Sequence, residues 1–282
     1  MKDDTRSSPL PDASISVDEV GIRYAVFGDL RLRTVCQPIF AIRSGLAVPV
    51  AVNAIDAVHR NGKVLQMALA MSFLTRPQRI QCGRILRRLH LHNLQNVSEA
   101  ALDLHLAINI KDAGIEQAAI EMTALMDEGS AIGVGPEQFV FDLSDMAMRD
   151  PTCFGECALA LGRTGATVSL DTAAMGAVGA STDSQPRLVR IPADWFQMLC
   201  RDPASAKLLG SMTAILHRRG IKVQVEGIDS ASLLRTAIEA EVDFLQGLLL
   251  GEPALAGAAF EEEPRPLSVL LRGANVLAFG RL

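Results

Sequence analysis

Eight short apolar runs are set along the chain: TVCQPIFAI (34–42), LAVPVAV (46–52), LHLAINI (104–110), QFVFDL (138–143), ATVSLD (166–171), RLVRI (187–191), KVQVEG (222–227) and VDFLQG (242–247). Each has the length and the β-branched or apolar content of a buried strand. The segments between them carry helical spacing. Residues 111–128 place Ile115, Ala118, Ala119, Met122 and Leu125 on one helix face. Residues 203–219 open on Pro203 and Ala204 and close on HRRG, which puts Pro at a helix start, cations in its last turn and Gly beyond it. Ser230 is the expected N-cap of a helix over 230–240 with Leu233 and Leu234 inward. Met67, Met71, Met122 and Met126 share helical spacing and read as core.

Alternating strand and helix predicts a parallel sheet. About seven such units with short connections predict a closed (β/α)8 TIM-like barrel rather than an open sheet. The absence of a Gly-rich turn after the first strand argues against a dinucleotide fold. Strands 34–42 and 47–53 are joined by Arg43-Ser44-Gly45-Leu46 alone. A parallel crossover needs a dozen residues or more, so these two are antiparallel and one barrel strand is reversed.

Five runs close on an oxygen-bearing side chain: Asn109, Asp142, Asp171, Glu226 and Gln246. Parallel strands bring their carboxyl ends to one rim, where barrel enzymes carry their chemistry. Composition narrows the rest. Of 282 residues, 49% are hydrophobic but only 4% aromatic, so aliphatic residues and Met must fill the core. A net charge of −5 gives no general pull toward nucleic acid or anionic lipid. The five cysteines (36, 82, 153, 157 and 200) show no disulfide or zinc spacing; Cys153 and Cys157 share a helix face as small packing residues. A reducing, cytoplasmic setting is expected, with neither a signal peptide nor a membrane span.

The runs, taken in order, resemble the EAL-domain family of cyclic di-GMP phosphodiesterases over roughly residues 24–256. CQPIFAIRSG resembles its YQPI opening, LAINI its VNxS strand and FVFDLSD its LEITES strand. VSLDTAAMG is similar to its ALDDFGTG segment and RLVRIPADWF to its LKIDxSF strand. GIKVQVEGIDSASLL and VDFLQGLLLGEP resemble its AEGVE and QGYLFSKP segments, the two most specific. The family cleaves cyclic di-GMP with two Mg²⁺ or Mn²⁺ ions, about 4 Å apart, which clamp the attacking and leaving oxygens. The resemblance implies an EAL-type barrel with that site at its rim.

Carried over residue by residue, the set is incomplete. Ala51-Val52-Asn53 stands where the EAL tripeptide falls, so Ala51 replaces the name-giving glutamate. Asn109, Asp171 and Glu226 are kept, and Asp142 is a shortened glutamate. Thr172 replaces the second aspartate of DDFG, and Arg190 replaces the lysine that orients water. A guanidinium stays charged and accepts no proton. Ile55 replaces the phosphate-gripping Arg. Gln37, Gln246, Gly247 and Pro253 remain of the nucleotide-binding residues, while Ala173-Ala174-Met175-Gly176 replaces the FGTG stretch.

The expectation is a barrel over 21–258, a disordered leader over 1–20 and a tail over 259–282, docked on the barrel or free for a partner. Asn109, Asp142, Asp171 and Glu226 form a vestigial metal site, with Arg190 as the carboxylates' new partner. No catalytic residues and no cofactor are expected, Mg²⁺ or Mn²⁺ entering only if that site still binds. The functional expectation is a non-catalytic signalling module acting through protein contacts. Its alternatives are a cyclic di-GMP receptor without hydrolysis and a weak phosphodiesterase. A protein partner and a homodimer are compatible with the chain; nucleic acid and membrane are not expected. Residues 57–98 hold seven Lys and Arg but no Asp or Glu, which fits either a patch for an acidic protein or a helix face balanced by acidic neighbours. His90 and His92 read as surface residues, and Trp195 as packing.

Overall fold

The computed structural model describes residues 13–97, 104–110, 118–176, 185–258 and 263–272. An antiparallel ribbon comes first: β1 (Ala13–Val17), β2 (Arg23–Phe27), β3 (Leu30–Arg43), β4 (Leu46–Arg60) and β5 (Lys63–Leu65). The β3–β4 turn uses Ser44 and Gly45, both at positive φ. Two helices follow, α1 (Met67–Ser72) and α2 (Arg76–Leu94). The Thr75 and Gln78 side chains close a capping box at the start of α2.

Parallel strands and helices then alternate. β6 (His105–Asn109) leads to α3 (Ala118–Ser130), and β7 (Phe139–Asp142) to α4 (Ser144–Arg149) and α5 (Pro151–Thr164). β8 (Thr167–Asp171) precedes α6 (Thr172–Met175); β9 (Leu188–Ile191) precedes α7 (Ala193–Leu199) and α8 (Pro203–Arg218). β10 (Lys222–Val225) precedes α9 (Ala231–Glu239), and β11 (Phe244–Leu245) is the last barrel strand. Short pieces complete the chain: β12 (Ala254–Leu255), β13 (Arg265–Pro266) and α10 (Leu267–Leu270).

Strands β4, β6, β7, β8, β9, β10 and β11 run parallel in that order. β3 closes the ring, antiparallel to both β4 and β11. The result is the eight-stranded barrel with one reversed strand that the spacing predicts. Alternation along each strand sorts its side chains. Val52, Ala54, Leu106, Ile108, Phe139, Phe141, Val168 and Leu170 bury outward against α2, α3 and α5. Val189, Ile191, Val223, Val225 and Leu245 do the same beneath α8 and α9. The intervening residues face the lumen.

Several expectations meet the structure directly. Ser230 Oγ accepts from Leu233 N at 3.3 Å, capping α9, and Leu234 is fully buried. The helix expected over 111–128 is present as α3 from Ala118, while 111–117 lie outside the described residues. The leader expectation needs correction at 13–17, which form β1 against β2 from Ala13↔Phe27 to Val17↔Arg23. Asp18 Oδ1 accepts from Val20 N and Ile22 N, so an Asx turn returns the chain and holds the short strand in register. In the tail, Arg265 pairs with Ala47, its guanidinium donates to the Leu250 carbonyl at 2.9 Å, and Leu270 is buried.

The basic stretch is balanced from within. On α2, Arg84 and Arg87 pair with Glu121 of α3, and Arg88 and His92 pair with Glu128. Burial pulls the Arg87 guanidinium below its ordinary pKa, against the upward pull of Glu121. His90 is not a surface residue. It is 3% exposed, between Thr34 Oγ1 at 3.0 Å and Asp56 Oδ1 at 2.9 Å. The reason is the long hairpin: β3 and β4 extend past the barrel, and α2 packs across that extension with Leu30, Leu32, Val58, Leu86 and Leu89. Trp195 packs, partly buried, against the cluster under α8.

Candidate functional site

The carboxyl ends of β6 to β11 bring Asn109, Asp142, Asp171, Arg190, Glu226 and Gln246 to one rim. Asp142 is the centre. One carboxylate oxygen, Oδ2, accepts from Asn109 Nδ2 at 3.1 Å and pairs with Arg190 Nη2. The other, Oδ1, accepts from the Ser144 backbone N at 3.0 Å and from the Ser144 hydroxyl. Both oxygens are therefore engaged by donors of the protein itself, at a residue only 4% exposed.

Arg190 bridges two strands. Its Nη1 donates to Glu226 Oε1 at 3.0 Å while Nη2 holds Asp142. Its buried Nε meets no acceptor among the described residues. Burial raises the Glu226 pKa; Arg190 opposes that, and Asp142, Asp171 and Asp194 reinforce it, so the net shift is upward. Asp171 serves its own strand end, where Oδ1 accepts from Ala174 N at 2.7 Å and caps α6. Thr172 is the first residue of that helix.

A chain of amides crosses the lumen just beneath. Gln224 Nε2 donates to Gln246 Oε1 at 3.0 Å, Gln246 Nε2 to Gln37 Oε1 at 2.7 Å, and Gln37 Nε2 to the Gly251 carbonyl at 3.0 Å. Gly247 admits no side chain, because a Cβ there would overlap the Ile228 backbone. Pro253 lies exposed on the following loop.

Two residues were not expected here, Ser144 and Gln224. Gln224 could have been found, since it lies two residues before Glu226 and so faces the same side of the strand. Ser144 follows the strand end, where the lumen alternation no longer applies.

Ala51 is not brought to this rim, a correction to its carried-over place beside Asn109. It pairs with His105, four residues before Asn109, which is about 13 Å down the strand. The Ala54–Ile108 pairing instead leaves Ile55 abreast of Asn109. The reason is register: motif counting fixes position along one strand, whereas hydrogen bonding to β6 fixes height in the barrel.

The geometry defines a (β/α)8-type barrel with a cluster of carboxylates and amides at the carboxyl rim. The EAL domain family model matches residues 22–253, and the chain belongs to that family. No curated protein matches the sequence. Among solved structures, the PaMucR phosphodiesterase in its c-di-GMP complex is similar at 17% identity and a TM-score of 0.66, over 79% of this chain and 92% of that one. Klebsiella pneumoniae BlrP1 with manganese and cyclic di-GMP gives 18%, 0.67, and 88% against 60%. The EAL enzyme Bd1971, bound to cAMP and cyclic di-GMP, gives 16%, 0.67, and 80% against 63%. This chain thus spans less than two thirds of BlrP1 and of Bd1971. Likeness at these identities concerns the fold.

Proposed function

We propose that the chain is a non-catalytic EAL barrel of cyclic di-GMP signalling that acts through contacts with other proteins. The observation that carries this reading is the Arg190 guanidinium, paired with both Asp142 and Glu226. Two divalent cations need several free anionic oxygens in one place. Here Asp142 commits both oxygens to donors of the chain, Asp171 commits one to a helix cap, and Ile55 stands abreast of Asn109. The described rim residues do not fit a metal pair. Arg190 supplies the positive charge itself, permanently and without an exchangeable water. A guanidinium, unlike the lysine it replaces, cannot give up its proton and so cannot activate a water at neutral pH.

A contact surface supports the protein-binding side. β1 ends the sheet, and its outer edge meets no strand among the described residues. Ile15, Val17 and Val20 beside that edge are 41%, 56% and 77% exposed. An open edge with exposed apolar residues suits β-strand addition by a partner chain or by a second copy.

The second reading, a receptor that holds cyclic di-GMP without cleaving it, is favoured by Gln37, Gln246 and Gly247 at the lumen mouth. The same amides are committed to one another, which weakens it. The test is a hydrolysis assay with Mn²⁺ and cyclic di-GMP, read by chromatography, beside calorimetry with the nucleotide. The expected result is no linear product and no heat with the protein at tens of micromolar. Turnover that vanishes in Glu226→Ala would overturn the proposal, and heat without turnover would favour the receptor.

A further inference from the structure

The opposite end of the barrel holds a cavity of about 420 Å³. Its walls are Ile39, Val50, Ala51, Ala107, Val140 and Leu188, with Phe244 beside them. Its ceiling is Gln224, whose amide is already bonded to Gln246. The space exists because small residues face the lumen on β4 and β6, Ala51 and Ala107 among them, where a packed barrel carries bulky branched ones. Apolar side chains make up most of its inner wall, with Thr167 and Gln224 the polar exceptions.

The mouth is cationic. Arg43, His105, Arg187 and Lys222 all line the cavity, and all are exposed at the amino-terminal rim. Lys222 is paired with Asp243 at 2.8 Å, and Glu137 lies beside His105. Arg43 and Arg187 have no carboxylate partner among the described residues. An apolar chamber of ligand size under two uncommitted guanidinium groups is complementary to one class of molecule.

We propose that this lumen binds a small anionic amphiphile, a medium-chain carboxylate, with the alkyl chain among Ala51, Ala107 and Leu188 and the head group at Arg43 and Arg187. The site is remote from the carboxyl rim and independent of whether that rim is catalytic. Calorimetric titration of the whole chain with hexanoate, octanoate and decanoate, below their micelle concentrations, tests it. Affinity rises about fourfold per added CH₂. Decyltrimethylammonium, with the same chain and the opposite charge, binds at least tenfold more weakly than decanoate.

The double variant Arg43→Gln/Arg187→Gln loses at least tenfold toward decanoate, and because both residues are exposed it tests the head-group contact without disturbing the core. Ala107→Phe fills the chamber and abolishes binding. Should that variant not fold, Ala51→Leu serves in its place. Affinity that ignores chain length, equal binding of the cationic analogue, or full binding by the double variant would each overturn the proposal.

Discussion

The two ends of this barrel are opposites built from the same strands. At the carboxyl rim, anionic and amide side chains converge, and every charged group of the central cluster is answered by a neighbour: Asp142 by Arg190 and Ser144, Glu226 by Arg190. At the amino rim, cations surround an apolar space, and two of them answer to nothing described. The contrast teaches that a satisfied cluster is poor evidence for binding, because donors already engaged within the protein gain little from a ligand. An unsatisfied one leaves interaction energy available.

Breaking the carboxyl rim should cost most. Arg190→Met leaves Asp142 and Glu226 facing each other without their cation, and a loss of about 3–5 kcal/mol is expected in urea denaturation at neutral pH. The loss should shrink in acid, where Glu226, its pKa raised by burial, takes up a proton. Added Mn²⁺ should restore part of it by standing in for the guanidinium. An unchanged midpoint would mean that the two ends are not distinguished by charge compensation.

Next in size, Gly247→Ala forces a Cβ into the Ile228 backbone and should cost about 1–3 kcal/mol, read in the same way. Gln246→Leu cuts the amide chain in the middle, leaving Gln37 and Gln224 each short of a partner. About 1–3 kcal/mol is expected, and hydrogen exchange should rise at the barrel centre rather than at the hairpin extension.

Glu226→Gln sharpens the comparison through pH. Its folded pKa is raised, so the stability its protonation confers is complete below the unfolded value and fades as pH climbs through the folded one. The glutamine variant has no such dependence. Its stability relative to the parent should therefore improve from about pH 4.3 and level off once pH has passed the folded pKa, and thermal melts across pH 4–8 measure it. The smallest effect belongs to the other end: Arg43→Gln/Arg187→Gln should move stability by no more than about 0.5 kcal/mol, since no described ion pair is lost.

Much of the barrel was legible. Strand periodicity, a connection too short for a crossover, and Pro203 and Ser230 at helix starts are local signals with local causes, and the structure keeps them. The rim residues Asn109, Asp142, Asp171 and Glu226 were legible too, because each closes its apolar run. What escaped was non-local. His90 reads as a polar residue on a polar helix, yet the hairpin extension covers it and supplies Asp56 and Thr34. The arginines of α2 read as a free patch or a balanced face, and the choice fell to α3, whose Glu121 and Glu128 lie more than thirty residues away.

By itself, the sequence determined which segments are the barrel strands, which way they run, and which chemical groups stand at their carboxyl ends. These follow from alternation and from the reach of the backbone, both local properties. The tertiary structure alone decided height and pairing: that Ala51 sits low in the lumen while Ile55 stands abreast of Asn109, that Arg190 reaches two carboxylates from different strands, and that small residues on β4 and β6 enclose one space. The physical reason is that register between strands and side-chain contact across a lumen are set by closure of the whole ring, which no single strand encodes.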